Sequence, residues 1–273
     1  MSCWKYWPKI EEIAKKLENY GVDSYDDLSI LNDIDLKEVT SLLDEIEVIA
    51  HDETIDFDSA KHILDDEKMN KALELIRKFY LYIGARLEIS NANEIIESDD
   101  PESTLDSFHF YERYEGLLTN ESKLAHWHND KTFVFVGSGP LPLTLILFRQ
   151  RFGCKCIGIE IQEDVAELSR KVIKKLGLDD GIEILVGDET LLKEIDFDIL
   201  MIAAFAEPKE RVFSNTWEIV NEKTPVLVRT YSGMRAILYA PLTDKILRGF
   251  HKEIMLLPIG NTNNTSVLLR KIV

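Results

Sequence analysis

Apolar positions in the first half of the chain recur every three or four residues. Trp7, Ile10, Ile13, Ala14 and Leu17 keep that spacing and stop near Gly21, which predicts a helix. Leu36, Val39, Leu42, Leu43, Ile46 and Ile49 predict a second. Ser59 is placed to cap a short helix through Ile63 and Leu64. The strongest helical segment runs from Asp66 to Ile89, with Met69, Leu73, Ile76, Tyr80, Ile83 and Leu87 on one face. Glu88 falls at the edge of that face, on the side of Arg77 and Gly84, where a carboxylate can reach a cleft without entering the core. Asn91–Glu97 extends the helix, and Asp99-Asp100-Pro101 breaks it. Ser103–Leu118 resumes a helical pattern, with Tyr111, Tyr114 and Leu118 on one side.

From Thr132 onward the pattern changes to short apolar runs alternating with amphipathic ones. Strands are expected at Thr132–Gly137, Lys155–Glu160, Ile182–Asp188, Phe197–Ala203 and Thr224–Arg229. The intervening helices are Leu141–Phe152, Asp164–Leu176 and Glu210–Ile219. Met255–Ile259 and Ser266–Lys271 read as a closing antiparallel pair. Repeated strand–helix–strand units imply a parallel sheet covered on both faces. The expected fold is α/β: a helical N-terminal domain over residues 1–128 and a Rossmann-like domain over 129–273.

Charge sharpens this division. Residues 1–130 hold 31 Asp/Glu against 13 Lys/Arg, a net of -18, and residues 131–273 hold 18 against 19, a net of +1. The acidity reads either as solvation or as a field that favours a cationic ligand. A chain of formal net charge -17 is a poor partner for nucleic acid, whose phosphates need clustered Lys and Arg. Three cysteines, Cys3, Cys154 and Cys156, suit a reducing compartment. The last two read as small core residues. Met1–Pro8 has no apolar stretch of a secretion signal, and no apolar run reaches the ~20 residues of a membrane helix. A soluble, cytoplasmic protein with no membrane partner is expected.

Ligands of open α/β sheets lie beyond the carboxyl ends of the strands. The first strand ends in Gly137-Ser138-Gly139-Pro140-Leu141-Pro142, a turn that lets backbone approach a ligand closely. Pro140 and Pro142 remove amides that a dinucleotide pyrophosphate would use. The second strand ends in Glu160, suited to a ribose diol. The third is followed by Asp188 and Glu189, suited to an exocyclic adenine amine. The fourth leads into Ala203-Ala204-Phe205. Together these suit S-adenosylmethionine better than a dinucleotide. Arg229, Tyr231 and Arg235 follow the fifth strand and can bind substrate carboxylates, and Asn264 precedes the last strand. The six histidines, His51, His62, His109, His126, His128 and His251, have no paired metal spacing, so no metal is expected.

Phe135-Val-Gly-Ser-Gly-Pro-Leu-Pro-Leu-Thr144 closely resembles the signature of nicotianamine synthases. So do Ile55-Asp-Phe-Asp-Ser-Ala-Lys-His62, Gly187-Asp-Glu-Thr190, Arg229-Thr-Tyr-Ser-Gly-Met-Arg235 and Asn263-Asn-Thr-Ser266. The resemblance spans nearly the whole chain and is closest to short archaeal members. It implies a helical domain on a Rossmann-like, S-adenosylmethionine-dependent methyltransferase fold. It also implies transfer of the 3-amino-3-carboxypropyl group to an amine, with methylthioadenosine leaving. Repetition builds a metal-chelating aminocarboxylate, with glutamate a candidate first acceptor.

An α-ammonium must lose a proton before it attacks, so a base is needed. Glu88 matches the family's catalytic glutamate, and Tyr114 is its expected partner. Three rival readings stay open: a small-molecule methyltransferase, an aminopropyl transferase of the polyamine type, and a non-catalytic nucleotide-sensing module. A homodimer is compatible with the sequence.

Overall fold

The computed structural model describes residues 5–21 and 32–272; Cys3 lies outside them. The chain forms two compact units, residues 1–86 with 231–241, and residues 87–230 with 242–273.

The first unit is helical. Helix α1 (Trp7–Glu18) has Pro8 in its first turn and buries Ile10, Ile13, Ala14 and Leu17. Helix α2 (Asp33–Ala50) starts at a reciprocal cap: Asp35 donates its amide to the Asn32 side chain (3.0 Å), and Asn32 donates its own to Asp35 (3.2 Å). Helix α3 (Phe57–Leu64) is capped by Asp56 rather than by the expected Ser59; the Ser59 amide donates to Asp56 Oδ1 at 2.8 Å. A 3-10 turn, Glu67–Met69, precedes α4 (Asn70–Glu97), so the long helix begins later than its pattern suggests and includes Asn91–Glu97. Phe79 is buried on α4, whereas Tyr80 is only partly so. Residues 231–241 return to this unit as a 3-10 turn, Gly233–Ile237, packed on α2 and α3. Arg77 ties the turn down by donating Nη2 to the Ala236 carbonyl at 2.6 Å.

The second unit is built on a seven-stranded sheet. Its strands are β1 (Thr132–Val136), β2 (Lys155–Glu160), β3 (Ile182–Val186), β4 (Ile199–Ile202), β5 (Val226–Thr230), β6 (Phe250–Leu256) and β7 (Thr265–Lys271). Their order is β3-β2-β1-β4-β5-β7-β6, with β1 to β5 parallel and β7 antiparallel to both neighbours. This is the Rossmann-like, methyltransferase-type sheet that was expected. Alternate residues face opposite sides. Phe133, Phe135, Cys156, Ile184 and Met201 join one core with α7 (Leu143–Phe152) and α8 (Glu163–Lys175). Val134, Val136, Ile159, Ile202 and Val228 join the other with α9 (Lys209–Ile219). Strand β6 begins earlier than the expected Met255. It is an edge strand whose residues His251 to Met255 are all exposed, so it carries no apolar alternation to read.

The end of α4 and the next two helices belong to this sheet unit. Ala92, Ile95, Leu105, Phe108 and Trp127 share a core with β1 and α7. The Trp127 ring lies 4.3 Å from Phe148 and 5.2 Å from Phe133, centroid to centroid. The compact units therefore differ from a division at residue 128, which followed charge and element type. The expected helix Ser103–Leu118 is two helices, α5 (Pro101–Asp106) and α6 (Tyr111–Glu121). The break between them buries Phe108.

Cys154 and Cys156 are free, buried core residues, as expected. Among the described residues no helix is long and apolar enough to cross a membrane.

Gly158 on β2 marks a close approach. A Cβ there would lie 2.6 Å from Ile184 Cδ1, 2.8 Å from Ser138 Oγ and 2.9 Å from Leu145 Cδ1. Gly158→Ala is expected to lower stability by about 1–3 kcal/mol, measured by urea unfolding.

Candidate functional site

The turn after β1 needs glycine twice. Gly137 has φ +82° and Gly139 φ +71°, left-handed values that side chains disfavour. A Cβ on Gly137 would sit 3.1 Å from Ala203 Cβ, which brings the segment after β4 against the turn. Pro140 and Leu141 are buried, and Pro142 caps α7.

Gly139 stands between two carboxylates. Its amide donates to Glu160 Oε2 at 3.1 Å, and a Cβ on it would lie 3.2 Å from Glu88 Oε2. Glu160, buried at the end of β2, also accepts the Gln162 amide on Oε1 at 3.0 Å. Each of its oxygens therefore holds an amide and retains a lone pair for a further donor such as a ribose hydroxyl.

Glu88, partly buried on α4, accepts the Tyr114 hydroxyl on Oε1 at 2.9 Å. Burial pushes its carboxyl up to about 7. The Tyr114 bond and the Arg229 guanidinium pull it back, and the Glu160 carboxylate pushes it further up.

Arg229 ends β5 in a buried ion pair. It donates Nε to Glu121 Oε1 at 2.7 Å and Nη2 to Oε2 at 2.8 Å. Its guanidinium also lies 5.6 Å from the ring centroids of Tyr114 and Phe135. Glu121 thus takes two of the five N–H donors of Arg229, a residue expected to receive a substrate carboxylate. Glu121 itself was missed. It lies seven residues after Tyr114, on the same face of α6, and that spacing is the signal that marks it.

The profile of the family described as nicotianamine synthase protein matches residues 14–273. The chain belongs to the nicotianamine synthase family. Nicotianamine synthase of Solanum lycopersicum is 24% identical over 225 residues, which are 77% of this chain and 71% of the tomato protein. L-histidine 2-aminobutanoyltransferase of Yersinia pestis is 22% identical over 129 residues, 47% of this chain and 48% of its own. Among solved structures, MtNAS in complex with MTA and tNA is 51% identical with a TM-score of 0.93, and each chain is covered over 100% of its length. A glutamate-to-glutamine mutant of MtNAS in complex with S-adenosylmethionine shares the same identity and coverage, with a TM-score of 0.91.

The other residues expected of a nicotianamine synthase site take varied places. Ser138 is buried with its hydroxyl over Gly158 and without a hydrogen-bond partner among the described residues. Asp188, partly buried after β3, caps the 3-10 turn Glu189–Lys193. The Thr190 hydroxyl and amide hold its carboxyl below the usual range. Glu189 is buried and accepts Arg211 Nε at 3.0 Å and Asn215 Nδ2 at 2.7 Å, which ties its carboxylate to α9. Ala204 is buried, and its carbonyl accepts Lys209 Nζ at 2.6 Å. Asn264 is partly buried just before β7, whose Thr265 pairs with Thr230 at the end of β5.

Tyr231 and Arg235 belong to the helical unit. Tyr231 is buried against Tyr80 and Tyr239, at ring distances of 6.2 and 5.7 Å. Burial lowers the Arg235 guanidinium, and its Nε has no hydrogen-bond partner among the described residues. Its Nη2 lies 3.9 Å from Glu53 Oε1.

A carboxyl raised from 4.5 to about 7 makes the folded state bind a proton that the unfolded state releases. Its contribution to stability is full below pH 4.5 and is lost as pH rises through about 7. Glu88→Gln is therefore expected to unfold at higher urea than the parent above pH 7, by up to roughly 3 kcal/mol, less where solvent reaches the carboxyl. The gain should vanish below pH 4.5.

Proposed function

We propose that this chain is an S-adenosylmethionine-dependent aminocarboxypropyl transferase that makes a nicotianamine-type chelator. The observation that carries the reading is the Glu88–Tyr114 pair beside the Gly139 turn: a raised carboxyl placed where the family's nucleoside co-substrate would approach the backbone. When bound, S-adenosylmethionine supplies a sulfonium whose neighbouring methylene accepts an amine nitrogen, while the carbon–sulfur pair leaves with methylthioadenosine.

The chain's own residues supply binding, orientation and proton removal. Gly137 and Gly139 allow backbone approach, Glu160 offers its remaining lone pairs to the ribose, and Asp188 stands at the end of β3 for the adenine amine. Glu88 takes the proton from the acceptor's ammonium, and Tyr114 holds Glu88 by the other oxygen. Raising the carboxyl from 4.5 to about 7 narrows its gap to the ammonium, so proton removal is less uphill. The sulfonium leaves as a neutral sulfide, so no acid is required at sulfur, and the remaining task is in-line positioning.

The decisive experiment is incubation with S-adenosylmethionine, with and without glutamate, followed by mass spectrometry. Methylthioadenosine and mass gains of one aminocarboxypropyl unit per cycle are expected. S-adenosylhomocysteine instead would mean methyl transfer, and tight binding without turnover would mean a sensing module. Glu88→Gln is expected to lower kcat by about 10²–10⁴-fold and to abolish an acid limb near pH 7 in the kcat/KM profile. Asp188→Ala should weaken S-adenosylmethionine binding, read by calorimetry; unchanged affinity would remove Asp188 from the adenine site.

A further inference from the structure

We propose, resting on the reading of Glu88 as the base, that Glu121 is a positioning residue which fixes the Arg229 cation against the Tyr114–Glu88 pair. Three observations carry this. Tyr114 and Glu121 are one face of one helix, α6, so the two ends of the contact share a rigid backbone. Glu121 holds Arg229 through two parallel bonds of 2.7 and 2.8 Å, a geometry that fixes the guanidinium plane as well as its position. The Arg229 Cζ lies 5.6 Å from the centroid of the Tyr114 ring, whose hydroxyl donates to Glu88.

Further contacts hold the arrangement. Ser266 of β7 donates to Glu121 Oε1 at 3.4 Å. Gly116, on α6 between the two side chains, lets the helix pass Thr262, because a Cβ would meet Thr262 Oγ1 at 2.3 Å. A buried ion pair is a poor way to join α6 to β5 for stability alone, since packed apolar side chains of similar volume do that as well or better. What the pair adds is a charge held at a set place.

The groups that act on Glu88 are Tyr114 from α6, Glu160 from β2 and Arg229 from β5. Glu121 offsets the Arg229 charge and keeps it from collapsing onto Glu88. Without Glu121 the cation stands unopposed and holds the base in a less basic state. Without both members, Glu88 loses its only attractive cation among these groups and becomes harder to ionise.

The test is the pH profile of methylthioadenosine release under kcat/KM conditions, for the full chain. In Glu121→Gln the acid limb is expected to move down by about one unit, with a lower plateau. In the apolar double variant Glu121→Leu/Arg229→Met, which removes the pair without leaving a buried charge, the limb is expected to move up. Glu121→Asp, which keeps the charge, should keep the parent limb at reduced rate. A rate loss with an unmoved limb in both the Gln and double variants would overturn the proposal, as a bracing role lowers activity at every pH alike. If Glu121→Gln fails to fold, the double variant decides on the same criterion. Glu88→Gln, run alongside, separates the two readings. If it removes the limb while the Glu121 variants leave it in place, only the Glu121 role falls. If it keeps both turnover and limb, the base assignment falls and the Glu121 role falls with it.

Discussion

Gly139 gives its amide to Glu160 and its absent side chain to Glu88, and the chemistry of the sheet unit turns on that double concession. A residue with a Cβ would strain the left-handed backbone and press on the Glu88 carboxylate at once. The constraint spreads outward. Gly137 lets the β4 segment close against the turn, and Gly158 lets Ser138 lie flat on β2. Three glycines thus bring an acid from α4, an acid from β2 and a backbone turn to the carboxyl edge of the sheet. No one of them carries a reactive group.

Two carboxylates so close repel, and the structure compensates each differently. Glu160 is held by two backbone amides, fixed dipoles that cannot move away. Glu88 has a phenol and the field of the Arg229 guanidinium. Burial outweighs both at Glu88 and raises its carboxyl to about 7. The two carboxylates therefore differ in what holds them: main-chain amides at Glu160, and at Glu88 a side chain and a charge that substitution can remove.

The sheet was legible because its apolar runs are short, bounded by glycine and proline, and regularly spaced. The places of Glu160 at the end of β2 and of Asp188 after β3 were legible from the same strand boundaries. Pairing could not be read that way. Arg211 and Asn215 hold Glu189, and Glu121 holds Arg229, partners that residue type and strand-end place do not reveal. A titratable residue's partner depends on three-dimensional approach across elements far apart in sequence: 108 residues separate Glu121 from Arg229. The bounds of the compact units depend on packing in the same way. Charge separates the halves at about residue 130, but Ala92, Ile95, Leu105 and Trp127 bury their apolar sides under β1 and α7, and burial decides packing. Glu88 as a base came from the family resemblance. The helical pattern by itself placed it only at the edge of an apolar face.

The residues that serve the site are also those that weaken the fold. Positive φ at Gly137 and Gly139, a crowded Gly158 and a carboxyl raised to about 7 each subtract from stability near neutral pH. The offset lies directly beneath them. Phe133, Trp127, Phe148 and Phe152 interlock within 4.3 to 5.6 Å on the face of β1 that faces α7. Aromatic burial of that kind, worth about 0.5–1.5 kcal/mol per pair beyond its area, is insensitive to pH. The strand that must end in a strained turn is therefore anchored by the part of the core least affected when Glu88 changes its charge.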